Sequence, residues 1–274
     1  MAGLRGRALV AYLLVCIVWG STYLAIRIGV QELPPLLFAG VRFLIAGALL
    51  AGLVLLTGGK LPTRPRDLGV LAVVGLFLLL GGNAVVVWAE QFVESGPASV
   101  FVAAVALGFS GVAWLLIRSD QPFPGLPCIV ILAGGAAWSL GAVLTRSLPR
   151  PKSVPLAAGA QMMLGGAVLL ALSQATGELH SFPHISLRAG LALAYLIVAG
   201  SLLGFTAYVW LLARMPATQV ASHAYVNPLV AVALGYFVAG EALTVPMMLA
   251  SALVLASVLL ILKTPDVRER RVTT

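Results

Sequence analysis

Residues 8–30 read ALVAYLLVCIVWGSTYLAIRIGV, a run interrupted by one charge, Arg27. A helix crosses a hydrocarbon core with about 20 apolar residues, so this stretch is long enough to span. Arg5 and Arg7 ahead of it have the flavour of a signal peptide. No small-x-small cleavage site follows, and the run reads as a span. Eight further apolar segments lie at roughly 33–57, 68–90, 97–117, 126–148, 154–177, 187–213, 217–240 and 244–262. Turn or charge signals separate them, among them Pro34-Pro35, Gly58-Gly59-Lys60, Gly96-Pro97, Pro149 to Lys152 and Pro216. The runs are continuous and about twice the length of a barrel strand, which argues against a transmembrane β-barrel.

Composition agrees. Apolar residues make up 61% and charged residues 9% of the 274, against roughly 45–50% and about 25% in soluble chains. A water-soluble fold this poor in charge would expose large apolar patches. The net charge of +8 does not point to nucleic acid, because the 17 Lys and Arg are scattered through short polar breaks rather than gathered on one face. Cys16 and Cys128 lie inside apolar runs and imply neither a disulfide framework nor a metal cluster. The expectation is an all-α, multi-pass membrane helix bundle of nine apolar segments.

Sliding the chain by 119 residues aligns 19–98 with 138–217 without a gap, and 15 of the 80 positions are identical. Trp19 meets Trp138, Arg27 meets Arg146, Thr57-Gly58 meets Thr176-Gly177, Gly81 meets Gly200, and Pro97-Ala98 meets Pro216-Ala217. Such self-similarity signals a duplicated unit. Beyond it the register shifts: Arg118 lines up with Lys263 at an offset of 145, so the first half is 26 residues shorter. The division expected is a first repeat at 1–125, a second at 126–265 and a short basic tail at 266–274, suited to anionic lipid.

Lys and Arg favour the cytoplasmic side, which tests the topology independently. Nine straight crossings with the N-terminus inside leave seven basic residues inside and eight outside. If 97–117 enters and leaves on the outer side, the count becomes thirteen inside and two outside, Arg118 and Arg188. The expectation is therefore a re-entrant hairpin with its tip near Gly108 to Gly111, both termini being cytoplasmic. One straight 21-residue helix is the alternative. Non-helical backbone at such a tip requires protein or water around it.

Trp19-Gly20-Ser21-Thr22-Tyr23, followed by Arg27, Pro34-Pro35 and Val41-Arg42-Phe43, resembles the first-helix pair of the EamA family of the drug/metabolite transporter superfamily. Ala224-Tyr225-Val226-Asn227-Pro228-Leu229 and Gly240-Glu241 resemble its ninth-helix pattern, and Asn83 with Ala89-Glu90-Gln91 is similar to its PecM-like exporter branch. The resemblance covers about residues 8–262. It implies two inverted five-helix repeats, ten spans, a cell-membrane location, and export of small metabolites or drug-like molecules by alternating access. Here the inner halves of the family's helices four and five are absent. A transport-defective, non-transporting membrane protein is thus the second reading.

Inverted repeats suit a carrier because two pseudo-equivalent halves exchange conformations around a midplane site, and polar groups in lipid normally face a cavity or a partner. The candidate cavity residues are Trp19, Ser21, Thr22, Tyr23, Arg42, Asn83, Trp88, Glu90, Tyr208, His223, Tyr225, Asn227 and Pro228. Arg42, about 11 Å deep by helical rise, is a group for an anionic substrate, or else an ion pair with Glu90 or a snorkelled side chain. Glu90 is the one carboxylate placed in a span: a proton or cation site, or an interfacial carboxylate paired with Arg27 or Arg42. His223 is of the type that titrates near neutrality, or else a buried neutral ring sharing a hydrogen bond. Pro228 removes a bond to the carbonyl of Ala224. Trp19, Tyr23, Trp88 and Tyr208 are either cavity lining or packing.

Enzyme signatures are missing: no HExxH, GxxxxGK[ST] or GxSxG occurs, and no pair of in-span carboxylates. His180 and His184 have ligand-like spacing, but Pro183 between them opposes a helix. No cofactor or metal is expected. The partners expected are a small molecule (amino-acid-like or drug-like), membrane lipid and, as an option, protons. The hairpin predicts that cysteines placed at Arg118 and at Arg268 label from opposite sides of the membrane; labelling from one side rejects it.

Overall fold

The computed structural model describes residues 2–60, 64–95, 98–99, 125–148, 153–180 and 185–242, with Val245, Met248 and Ala252. These residues form seven helices long and apolar enough to cross a bilayer. They are α1 (Ala2–Val30) and α2 (Pro35–Leu56), α3 (Pro65–Ala89), α4 (Gly125–Ser147) and α5 (Val154–Ala175), and α6 (Leu187–Leu212) and α7 (Gln219–Ala239). Seven of the nine expected segments are thereby seen as helices. Segment 97–117, with the hairpin drawn on it, and most of 244–262 lie outside the described residues. The polypeptide is a membrane helix bundle, with leucines such as Leu56 and Leu187 left 87% and 80% exposed for lipid.

Helix ends follow the sequence punctuation. Thr57 and Thr176 close α2 and α5 alike: each hydroxyl donates to carbonyls three and four residues back. Each is followed by a left-handed glycine, Gly58 at φ 79° and Gly177 at φ 80°, the backbone state a C-terminal cap needs and glycine adopts without penalty. Pro35 and Pro65 open α2 and α3, where a missing N–H costs nothing.

Packing fixes the direction of every helix. A Cβ added to Gly47 would lie 2.6 Å from the Met163 nitrogen and 2.8 Å from the Gly159 carbonyl, and one added to Gly166 2.6 Å from the Leu44 nitrogen. Numbers rise along α2 as they fall along α5, so the pair is antiparallel, with backbones in contact through small residues. Gly82 against Trp138 and Gly141 against Leu78 make α3 and α4 antiparallel. Trp19 on Gly200 and Ser21 on Tyr195 do so for α1 and α6. Tyr12 on Ser222 and Gly20 against Val230 set α1 and α7 parallel.

Calling the end where α1 finishes the upper end, α3 finishes there and α4 begins there. Helices related by the 119-residue offset, such as α2 and α5, run in opposite senses.

Two features were not foreseen. Leu76–Ala84 in α3 and Leu196–Phe205 in α6 are π-helical. They occupy corresponding places in the two halves and contain the matched Gly81 and Gly200. At the upper end, loop carboxylates cap two helices belonging to other parts of the chain. Glu178 Oε2 accepts the Leu37 N–H at 2.8 Å. Glu32 accepts the Ser186 N–H at 2.9 Å and its hydroxyl at 2.7 Å. Negative charge is favourable at a helix N-terminus.

Gly47→Ala should destabilise the bundle by about 1–3 kcal/mol through overpacking. Gly52→Ala, whose Cβ meets nothing within 4 Å, should be neutral or stabilise by up to ~1 kcal/mol; thermal unfolding in detergent separates the two. Hydrogen bonds from Ser186, with Arg188 nearby, hold the Glu32 carboxyl below the usual carboxylate range. Its clasp is present at neutral pH and lost as pH falls through that lowered value. Hydrogen exchange at the Ser186 amide should therefore accelerate on acidification beyond its intrinsic change, and Glu32→Gln should abolish that dependence.

Candidate functional site

A partly open cavity lies among α1, α2, α3, α4 and α7. The α1 face carries Trp19, Thr22, Tyr23 and Ile26 at helical spacing. Asn83 comes from the π-helical stretch of α3, and Gly134-Gly135, Trp138 and Ser139 from α4. His223, Ala224 and Asn227 come from α7, just past the break at Ser222 that separates Ala217–Ala221 from His223–Leu234.

The apolar wall is an aromatic cluster. Trp19 and Trp138, mates in the internal repeat, meet edge-to-face with ring centroids 5.3 Å apart and planes at 84°. Tyr208 lies behind both, at 4.9 Å and 5.2 Å, and His223 stands edge-on to Trp19 at 5.1 Å. Edge-to-face and tilted contacts suit the ring quadrupoles. Each polar handle has a partner: Trp19 Nε1 donates to the Gly200 carbonyl at 3.0 Å, and Trp138 Nε1 to the Tyr208 hydroxyl at 2.9 Å. His223 Nδ1 pairs with the Val220 carbonyl at 2.7 Å.

Arg42 supplies the charge. Its side chain is 2% exposed yet lines the cavity. Nε donates to Ser201 Oγ at 2.9 Å and Nη1 to Asn83 Oδ1 at 3.4 Å, and the guanidinium lies 4.7 Å from the Phe43 ring centroid. Both hydrogen-bonding partners sit on the π-helical stretches of α3 and α6. A guanidinium has five N–H donors, and these two bonds leave three. Among the described lining residues there is no carboxylate; Arg42 makes no hydrogen bond to the Glu90 carboxylate weighed as its partner from the sequence, nor is the side chain snorkelled. Asn227, with its amide oriented to satisfy its neighbours, donates to the carbonyls of His223 at 3.0 Å and Cys16 at 3.2 Å. Pro228 offers no N–H to the carbonyl of Ala224, a lining residue.

Seven of the thirteen candidates meet in this cavity: Trp19, Thr22, Tyr23, Arg42, Asn83, His223 and Asn227. The other six do not line it. Ser21 bonds to the Tyr195 hydroxyl on α6, because it lies off the Trp19–Tyr23 face. Trp88 packs on Phe92 near the end of α3. Tyr208 backs the two tryptophans, while Tyr225 and Pro228 are buried in α7. Glu90 is fully buried beyond the cavity rather than interfacial, and Arg27 donates to its main-chain carbonyl instead of pairing with its carboxylate. Arg146, the mate of Arg27, likewise donates to a main-chain carbonyl, that of Met215. Trp138, Ser139 and Gly134-Gly135 were missed; the match of Trp138 to Trp19 was the available signal for the first.

The family model of EamA-like transporters matches residues 6–120 and again 125–263, and the chain belongs to that family. It is 39% identical over 273 residues to the uncharacterized inner membrane transporter YedA of Escherichia coli K12, covering 89% of this chain and 87% of that protein. It is 27% identical to a probable amino-acid metabolite efflux pump of Salmonella typhimurium, over 89% of this chain and 91% of that one. A probable terminal-alkyne amino-acid exporter of Streptantibioticus cattleyicolor is 26% identical over 98% and 97%. A solved crystal structure shares the fold at a TM-score of 0.64 with 16% identity, over 92% of this chain and 95% of that one.

Proposed function

We propose that this transporter exports small amino-acid-like metabolites by alternating access, with the Arg42 cavity as the substrate site. One observation carries the reading: a buried guanidinium with unused donors opens into a cavity whose described lining holds no carboxylate. That combination favours an anionic group, and a carboxylate fits the planar fork of arginine. The aromatic wall of Trp19 and Trp138 accommodates an apolar body. The Ala224 carbonyl and the Ser139 hydroxyl are groups to which a substrate amine can donate. The names of two relatives, an amino-acid metabolite efflux pump and an amino-acid exporter, support the class.

In this reading residues 1–125 and 126–265 are the two repeats, inserted in opposite senses, and they rock about the cavity between them. The lower end, where α1 begins, is cytoplasmic, as are both termini. Transport requires no bond to be made or broken in the substrate, and the chain acts as a carrier rather than an enzyme.

Reconstituted proteoliposomes test the assignment with L-phenylalanine against phenethylamine, which lacks the carboxylate. The amino acid should be carried and the amine not. Arg42→Gln should lower kcat/KM for the amino acid by roughly 10–100-fold, the worth of a charge-assisted hydrogen bond. Equal transport of the two compounds, or an unaffected Arg42→Gln, refutes the carboxylate site.

A further inference from the structure

Glu90 follows the last turn of α3 and is fully buried. Neither Oε1 nor Oε2 has a hydrogen-bond partner among the described residues. Its neighbours Ala89 and Val93 belong to a small apolar cluster with Tyr23, Ile131 and Ala231. The charged and titratable groups facing it are Arg27 and Tyr23 from α1, Arg42 from α2, and Glu241 beyond α7. None of them serves its carboxylate as a donor. Arg27 reaches the main-chain carbonyl instead, and Glu241 already accepts the Ser95 N–H at 3.3 Å and its hydroxyl at 2.7 Å.

A carboxylate anion without donors is far costlier to bury than the neutral acid. Structural buried acids are held by hydrogen bonds, and no described residue gives this carboxylate one. The second observation is position. Tyr23 lines the cavity and also packs in the apolar cluster of Ala89 and Val93, which flank Glu90 in sequence. The acid thus sits next to a cluster that includes a residue lining the space where substrate is read to sit.

We infer that Glu90 is a proton-binding site, the group through which pH acts on this carrier. It holds the proton in the described conformation; when the upper end opens, the carboxyl O–H breaks and the proton passes to water there. An ionised Glu90 adds negative charge near Arg42 and weakens binding of a carboxylate substrate. A protonated one leaves that guanidinium to the substrate. The link to transport rests on the cavity reading above, whereas proton occupancy itself does not.

Infrared difference spectra of the purified full chain, recorded on alkalinisation, test occupancy without any substrate. Wild type should lose a protonated-carboxyl C=O band that shifts in heavy water. The band should be absent from Glu90→Gln and retained in Glu241→Gln. No such band in wild type, or an unchanged one in Glu90→Gln, overturns the assignment. Should the Gln variant fail to fold, Glu90→Asp must displace the band, and an undisplaced band is equally fatal. L-phenylalanine counterflow at equal pH on both sides then reads the link. The wild-type rate should fall as pH rises, and in Glu90→Gln the ratio of acid to alkaline rates should drop to about one. A wild-type pH profile in that variant overturns the link.

Discussion

Backbone contact between α2 and α5 is the constraint on which the rest of the bundle depends. Lipid tails are as apolar as leucine, so no hydrophobic force draws helices together within the membrane, and close van der Waals contact does that work instead. Gly40 and Gly47 on one helix and Gly159 and Gly166 on the other remove the side chains that would hold the backbones apart. These four are pairwise mates in the 119-residue repeat. The seam is therefore self-complementary: what α2 presents to α5, α5 presents back. The antiparallel pairing fixes α5 relative to α2, and the connected helices inherit their directions from it. With the halves opposed, Trp19 and Trp138 arrive face to edge at the centre.

The centre is symmetric in shape and asymmetric in charge. Arg42 corresponds to Gln161 in the second half, and both are buried. Holding a guanidinium away from water costs several kcal/mol unless hydrogen bonds offset it. Ser201 and Asn83 do so in part. Among the described residues that line the cavity no carboxylate faces this cation, and the proposed anionic substrate would supply the missing charge.

Much of this was legible beforehand. Continuous apolar runs gave the spans, and paired landmarks such as Trp19 with Trp138 gave the duplication, because lipid and repetition both leave strong linear marks. Seven cavity residues followed from placing polar and aromatic groups in spans. Failures came where three dimensions decide. Ser21 and Trp88 look as polar or aromatic as their neighbours, but a rotation of roughly 100° per residue turns them away. The isolation of Glu90 was invisible, since an acid with two arginines in reach reads as a salt bridge until one arginine is seen on a carbonyl instead. The π-helical stretches left no mark beyond Gly81 and Gly200.

Those stretches matter for how the guanidinium is held. A wide turn accommodates an extra residue, so everything beyond it is rotated relative to an ordinary winding. Asn83 and Ser201 both sit inside such turns. Tightening either one into regular helix would swing its polar group by about one residue, some 100°, and strip Arg42 of a tether. The grip on the cation is thus set by the winding of two helices from opposite halves of the molecule, and a change of pitch in either would be felt at the same charged atom group.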